Sequence, residues 1–173
     1  AFAQAPLFTP EGDYDLYVQA VDGAPERIPT GLKTALYHLE WSPDGTKVLF
    51  GDKSFALYVM DMATKKLTKV DESRELKNDQ FTWEVSDYAW APDSQWIAYS
   101  FVESNRNSRI HLFNLATRQK VTLTDGFYDC LNPRFDLDGS TLYFLSYSNF
   151  QTRLDRIQDN HIQSAPVQVM AVK

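Results

Sequence analysis

The sequence has a single cysteine, Cys130, so no disulfide within its 173 residues can hold the fold together. A lone thiol suits cytoplasm and periplasm alike, because large periplasmic domains often lack disulfides. The compartment is left open, with a lean towards a periplasmic or extracytoplasmic parent. Glycine and proline are sparse, at seven and eight, which excludes a chain dominated by linker or low-complexity sequence. The apolar residues, 43% of the total, are spread along the whole length, enough for one folded unit with a real core. No apolar run approaches the roughly 18 residues of a membrane-spanning helix, so no membrane insertion is expected. Basic residues are outnumbered, 17 Lys and Arg against 23 Asp and Glu. A nucleic-acid footprint gathers Lys and Arg on one face to neutralise phosphates, and no nucleic-acid partner is expected. The two signs are interspersed, so the acidity serves solubility and names no substrate.

The residues of common active sites are also thin on the ground. Three histidines, His38, His111 and His161, are scattered, and no two share a spacing that would set two ligands on one face of a strand or helix. His111 lies in an alternating stretch and is expected to be half-buried with a backbone partner, and His161 is expected in a loop. Cys130 sits beside Asp129, whose charge disfavours the thiolate a nucleophile needs, so a buried structural role is expected. There is no Gly-x-Ser-x-Gly turn and no glycine-rich phosphate loop. These absences predict no catalytic residue, no metal and no cofactor. The opening Ala1-Phe2-Ala3-Gln4 ends like a signal peptide but has no basic or apolar region before it, and is read as a trimmed end.

What is present is a repeat. An aromatic, one residue, Pro or Leu, Asp and a turn residue precede an alternating strand three times. The copies are Trp41-Ser42-Pro43-Asp44-Gly45 before Lys47–Phe50, Trp90-Ala91-Pro92-Asp93-Ser94 before Trp96–Tyr99, and Phe135-Asp136-Leu137-Asp138-Gly139 before Leu142–Leu145. The spacing is 49 residues from Pro43 to Pro92 and 45 from Pro92 to Leu137, the length of a four-stranded propeller blade. Proline presets the backbone for the turn, aspartate caps it and glycine takes the positive φ, so each copy reads as a hairpin. A second element, Leu57–Thr64 and Ile110–Thr117, reads as a third strand ending in a turn, and Lys66–Val70 and Lys120–Thr124 read as outer fourth strands. The turn aspartates Asp44, Asp93 and Asp138 stand one per repeat, so capping explains them better than calcium does.

The fold expected is all-β, a partial β-propeller of four-stranded antiparallel blades with about three blades' worth of strand. The predicted organisation is a single propeller segment over 1–173: a partial blade at 1–31, blades at 36–72 and 85–126, and a partial, divergent blade at 130–173. Leu16–Gly23 and Arg27–Thr30 would be the last two strands of the first, and Pro166–Val172 a third strand of the last. Closed propellers have typically about four to eight blades, so self-association through exposed blade edges is expected, up to a ring completed by two chains.

Leu39-Glu40-Trp41-Ser42-Pro43-Asp44-Gly45-Thr46-Lys47-Val48-Leu49-Phe50 resembles the repeat of TolB-type and Tricorn-type propellers. Leu123-Thr124-Asp125-Gly126-Phe127-Tyr128-Asp129, with Asn132–Gly139 and Leu142–Ser146, is more similar to the Tricorn peptidase family. That resemblance implies a multidomain serine peptidase whose propellers precede a PDZ-like module and a catalytic domain and gate or guide peptides. Its nucleophile and base belong to the catalytic domain, so no residue here inherits a catalytic role. The function expected is a non-catalytic scaffold or gate with a peptide or protein partner. The alternative is a TolB-type protein-interaction propeller in a cell-envelope complex.

Two segments interrupt the repeat, Asp71–Glu84 and Tyr147–Ala165. Insertions in propellers map to loops on one face, where function sits. Phe81 and Trp83 in the first, and Phe150, Arg153 and Arg156 in the second, are therefore the candidate binding residues. A solvated loop, or a longer strand with its aromatic in the core, is an equal reading of each segment.

Overall fold

A computed structural model describes residues 2–4, 15–73, 87–148, 152–154, 161–163 and 167–173. Every regular element among them is a strand, as β-branched and aromatic residues in alternation demand. The chain forms two compact units, Ala1–Ser86 and Asp87–Lys173.

In the first unit, β1 (Phe2–Gln4), β2 (Leu16–Gln19) and β3 (Glu26–Ile28) make a three-stranded sheet in chain order. β4 (Leu36–Trp41), β5 (Lys47–Asp52), β6 (Ala56–Asp61) and β7 (Leu67–Glu72) make a four-stranded antiparallel meander. Leu16, Ile28, Leu36, Val48, Phe50 and Met60 form the buried core between these sheets. Burying each such side chain stabilises the unit by about 1.5–3 kcal/mol. β1 has no counterpart in the sequence reading, because three residues are too short to show alternation. Its order comes from its ladder, which sets Phe2 opposite Gln19.

In the second unit, β8 (Tyr88–Trp90), β9 (Trp96–Val102), β10 (Ser108–Asn114) and β11 (Lys120–Thr122) form another four-stranded meander. β12 (Cys130–Phe135), β13 (Leu142–Ser146) and β16 (Gln168–Val172) form a three-stranded sheet. Between β13 and β16 the chain makes a separate hairpin of β14 (Thr152–Leu154) and β15 (His161–Gln163). His161 thus lies in a strand rather than a loop, opposite Leu154. Ala98, Ile110, Cys130, Leu142 and Phe144 make the core of this unit.

The hairpin turns follow the chemistry read from the sequence. The Asp44, Asp93 and Asp138 carboxylates accept the N–H groups of Thr46, Gln95 and Ser140 at 3.0, 2.8 and 2.7 Å. Gly45 and Gly139 take φ of 69° and 76°, and Ser94 stands at 57°. The later turns repeat a second device: Asp61 accepts from the Thr64 N–H and Asn114 from the Thr117 N–H, at 2.8 and 2.9 Å. Lys65 and Arg118 follow these at φ of 57° and 56°.

Candidate functional site

The aromatic of each repeat motif ends the first strand of its own sheet, β4, β8 and β12. Aligned on the motif aromatics Trp41, Trp90 and Phe135, the third residue before each is His38, Asp87 and Asn132. Two of the three strands are bulged at this place. In β4, His38 and Leu39 oppose Phe50 alone, since the register jumps between Tyr37 and Glu40. In β12, Asn132 and Pro133 oppose Phe144 in the same way. The extra residue bends the strand and takes a left-handed backbone, φ 50° at His38 and 53° at Asn132. Asparagine and histidine are among the side chains that tolerate this region best.

A bulge leaves one N–H without a ladder partner. In the second unit that N–H, on Asn132, is taken by Asp87, whose two carboxylate oxygens lie 2.9 and 2.8 Å from it. The Arg134 guanidinium donates to the carbonyls of Tyr88 and Pro133 at 2.9 and 2.8 Å. The Ser100 hydroxyl donates to the Cys130 carbonyl at 2.9 Å. The first strands of neighbouring sheets are therefore joined by polar groups at their edges, with apolar contacts behind. Burial pushes the Asp87 carboxyl above its ordinary value, against the Asn132 N–H, the Arg134 guanidinium and the Ser100 hydroxyl, which hold it down. The arrangement offers a half-buried carboxylate and an exposed Asn132 and Arg134 to an extended chain. It contains no nucleophile–base pair.

Elsewhere the candidates of the sequence reading resolve differently. Phe81, Trp83, Phe150 and Arg156 lie outside the described residues. Arg153 falls in β14, opposite Ile162. His111 is fully buried at 1% exposure rather than half-buried. The Thr122 hydroxyl lies 3.1 Å from its Nδ1 and a Glu103 carboxylate oxygen 3.2 Å from its Nε2, and its ring stacks on Tyr99. The neighbouring strands β9 and β11 cover it, which alternation within β10 cannot reveal. Cys130 is buried and free. No group of three or more His, Cys, Asp or Glu that could hold a metal ion occurs among the described residues.

Asp87 and Ser100 belong to no motif in the sequence, and Arg134 entered only as part of the stretch Asn132–Gly139, with no role of its own. The signal was the Asn132-Pro133 pair, since a proline inside a strand marks an edge or a bulge.

A family profile described as the Tricorn protease second beta propeller domain matches residues 7–172. The chain belongs to this family. Tricorn homologues share its sequence at modest identity. The Tricorn protease homolog of Saccharolobus solfataricus is 29% identical over 143 residues, 82% of the chain and 12% of the relative. Tricorn protease homolog 1 of Streptomyces coelicolor is 26% identical over 136 residues, 79% of the chain and 12% of the relative. The chain thus spans about one-eighth of these relatives' length. The crystal structure of the tricorn protease superposes with a TM-score of 0.82 over 94% of the chain and 16% of that structure, at 21% identity. TolB from Acinetobacter baumannii superposes with a TM-score of 0.54 over 90% of the chain and 38% of that structure, at 21% identity. At such identities the likeness is one of fold: a Tricorn-type partial β-propeller with four-stranded antiparallel blades, and TolB as a neighbour in architecture. Among the described residues no helix is long and apolar enough to cross a membrane.

Proposed function

We propose that this chain is a non-catalytic propeller module of a Tricorn-like peptidase, a gate or scaffold that guides peptides to a catalytic domain elsewhere in the parent protein. The observation that carries the reading is the family match along residues 7–172. The first-strand edge supports it, because Asp87, Asn132 and Arg134 supply the hydrogen-bonding groups an extended peptide needs and no pair able to cut it. On this reading the chain is one propeller segment with a partial blade at 1–31, blades at 36–72 and 85–126, and a partial, divergent blade at 130–173. Phe81, Trp83, Phe150, Arg153 and Arg156 are then the candidate residues for meeting the peptide or protein partner.

The isolated chain is expected to leave peptides uncut. In the parent enzyme, Asp87→Lys is expected to lower kcat/KM for long peptides several-fold more than for tripeptides. Cleavage by the isolated chain, or an equal loss for both lengths, would sink the reading.

A further inference from the structure

Two loops of the second unit are tied to each other by side chains. Residues 103–107 join β9 to β10, and residues 123–129 join β11 to β12. The Asn105 carboxamide donates to the Gly126 carbonyl at 2.8 Å, and that of Asn107 to the Gly126 and Phe127 carbonyls at 2.9 and 3.0 Å. Asp125 accepts the Phe127 N–H at 3.0 Å, and Asp129 the Ser108 N–H at 2.7 Å. A loop tied in this way has lost its freedom before any partner arrives, which lowers the cost of binding one. Its tip is nevertheless apolar: Phe127 is 77% exposed and Tyr128 47%. The loop joins two sheets of this chain, and neither sheet covers the rings. Aromatic rings held out on a rigid support are typical anchors of binding surfaces.

The charges beside this tip are unbalanced in one direction. Arg106 is exposed between the two asparagines, with φ of 68°. Arg109 lies against the glycine: a Cβ on Gly126 would stand 2.0 Å from its Nε and 2.7 Å from its Cζ and Nη2. The guanidinium thus fills the space a side chain would need, and its Nε is buried with no hydrogen-bond partner. Among the described residues neither guanidinium has an ion pair or a hydrogen bond. The nearby carboxylates are committed elsewhere, Asp125 and Asp129 to backbone N–H groups and Glu103 to His111 Nε2 at 3.2 Å. The chain has 23 acidic residues against 17 Lys and Arg, so two arginines without an acid favour an anion from outside. A carboxylate is the planar acceptor that a guanidinium binds best.

We propose that Arg106, Arg109, Phe127 and Tyr128 form a docking site for an acidic peptide segment. Its carboxylates pair with the two guanidinium groups, and an aliphatic side chain between them covers the Phe127 and Tyr128 rings. The arginines select for charge, the rings supply apolar area, and Asn105 and Asn107 hold the loop in its binding shape. A bound carboxylate also supplies the acceptor that the Arg109 guanidinium lacks. The site shares no residue with the first-strand edge of Asp87, Asn132 and Arg134, and it does not depend on whether the parent protein cuts peptides.

The test is calorimetric titration of the 173-residue chain with a capped synthetic peptide of about seven residues, carrying Glu, Leu and Glu at alternate positions so that they share one face when extended. Saturable binding that weakens as salt is raised is expected. The same peptide with Gln for both Glu is expected to bind at least about tenfold more weakly. The acidic peptide is expected to lose about as much, roughly tenfold, against Arg109→Gln, Arg106→Gln and Phe127→Ser. Arg106 and Phe127 are exposed, so a folding defect in Arg109→Gln does not decide the matter. Asp87→Ala is expected to leave this binding unchanged, and a loss there would overturn the proposal by placing the peptide at the first-strand edge. No binding, equal binding of the Glu and Gln peptides, or undiminished binding to both Arg106→Gln and Phe127→Ser would each overturn it. So would a dimer of the chain alone that Phe127→Ser dissolves, which would give the surface to a second copy.

Discussion

Asp87 holds the backbone N–H of Asn132, 45 residues away, with both oxygens of its carboxylate, at 2.9 and 2.8 Å. One bulge in β12 thereby becomes a joint between two sheets. Asp87→Ala leaves that N–H to solvent and is expected to cost about 1 kcal/mol, read as a lower denaturant midpoint at unchanged slope. Asp87→Asn keeps one acceptor and is expected to cost less. The pH dependence separates the two effects. Because burial raises Asp87 in the folded state, the folded chain binds this proton more tightly than the unfolded chain. The stability it contributes is present below the ordinary carboxylate value and is lost as pH rises through the raised one. Asp87→Asn is expected to remove that slope from the stability profile, and an unchanged slope would show that Asp87 is not its source.

Asp44 has the opposite sign. The Ser42 hydroxyl at 2.6 Å and the Thr46 N–H at 3.0 Å hold its carboxyl well below the usual carboxylate range. Its contribution is present above the ordinary value and fades as pH falls from about 4 through the lowered one. Asp44→Asn is expected to cost about 0.5–1 kcal/mol near neutrality and to flatten acid unfolding below pH 4, as followed by circular dichroism.

Gly126 and Gly45 both have positive φ, 78° and 69°, but only one is crowded. A Cβ on Gly126 would lie 2.0 Å from Nε of Arg109, whereas one on Gly45 would meet nothing within 4 Å. The Gly126 carbonyl also accepts from the Asn105 and Asn107 side chains at 2.8 and 2.9 Å. Gly126→Ala is expected to cost about 2 kcal/mol and Gly45→Ala about 1 kcal/mol. Equal shifts in thermal midpoint would mean that Arg109 moves aside freely.

Arg118 closes the turn after β10 with φ of 56°, a conformation that costs a non-glycine residue about 1–2 kcal/mol. Arg118→Gly relieves most of this and gives back part of it in chain entropy. A net gain of about 0.5 kcal/mol is expected, measured as a higher denaturant midpoint. A loss would show that the Arg118 side chain contributes contacts at the exposed turn.

The parts of the fold legible in the sequence are those that local chemistry specifies. Pro43-Asp44-Gly45 and Pro92-Asp93-Ser94 dictate their turns within five residues, and Asp44 and Asp93 cap them through their own neighbours' N–H groups. The apolar runs Val48–Phe50 and Ile97–Tyr99 that follow are strands buried on both faces. The candidate site was harder to see. Asp87 meets Asn132 from a different hairpin, and Asn132 needs that partner only because Asn132-Pro133 bulges against Phe144. His111 was misjudged for the same reason, since Tyr99, Glu103 and Thr122 enclose it from other strands and the loop beside them.

By itself, then, the sequence determined the strands, their turns and the repeating sheet, because each rests on residues a few positions apart whose φ preferences and side-chain hydrogen bonds act locally. The tertiary structure alone decided that Asp87 meets Asn132 and that Trp96, Leu112, Leu123 and Val172 line one apolar cavity. Both depend on which edges of which sheets come together, and that is set by packing between residues distant in the chain.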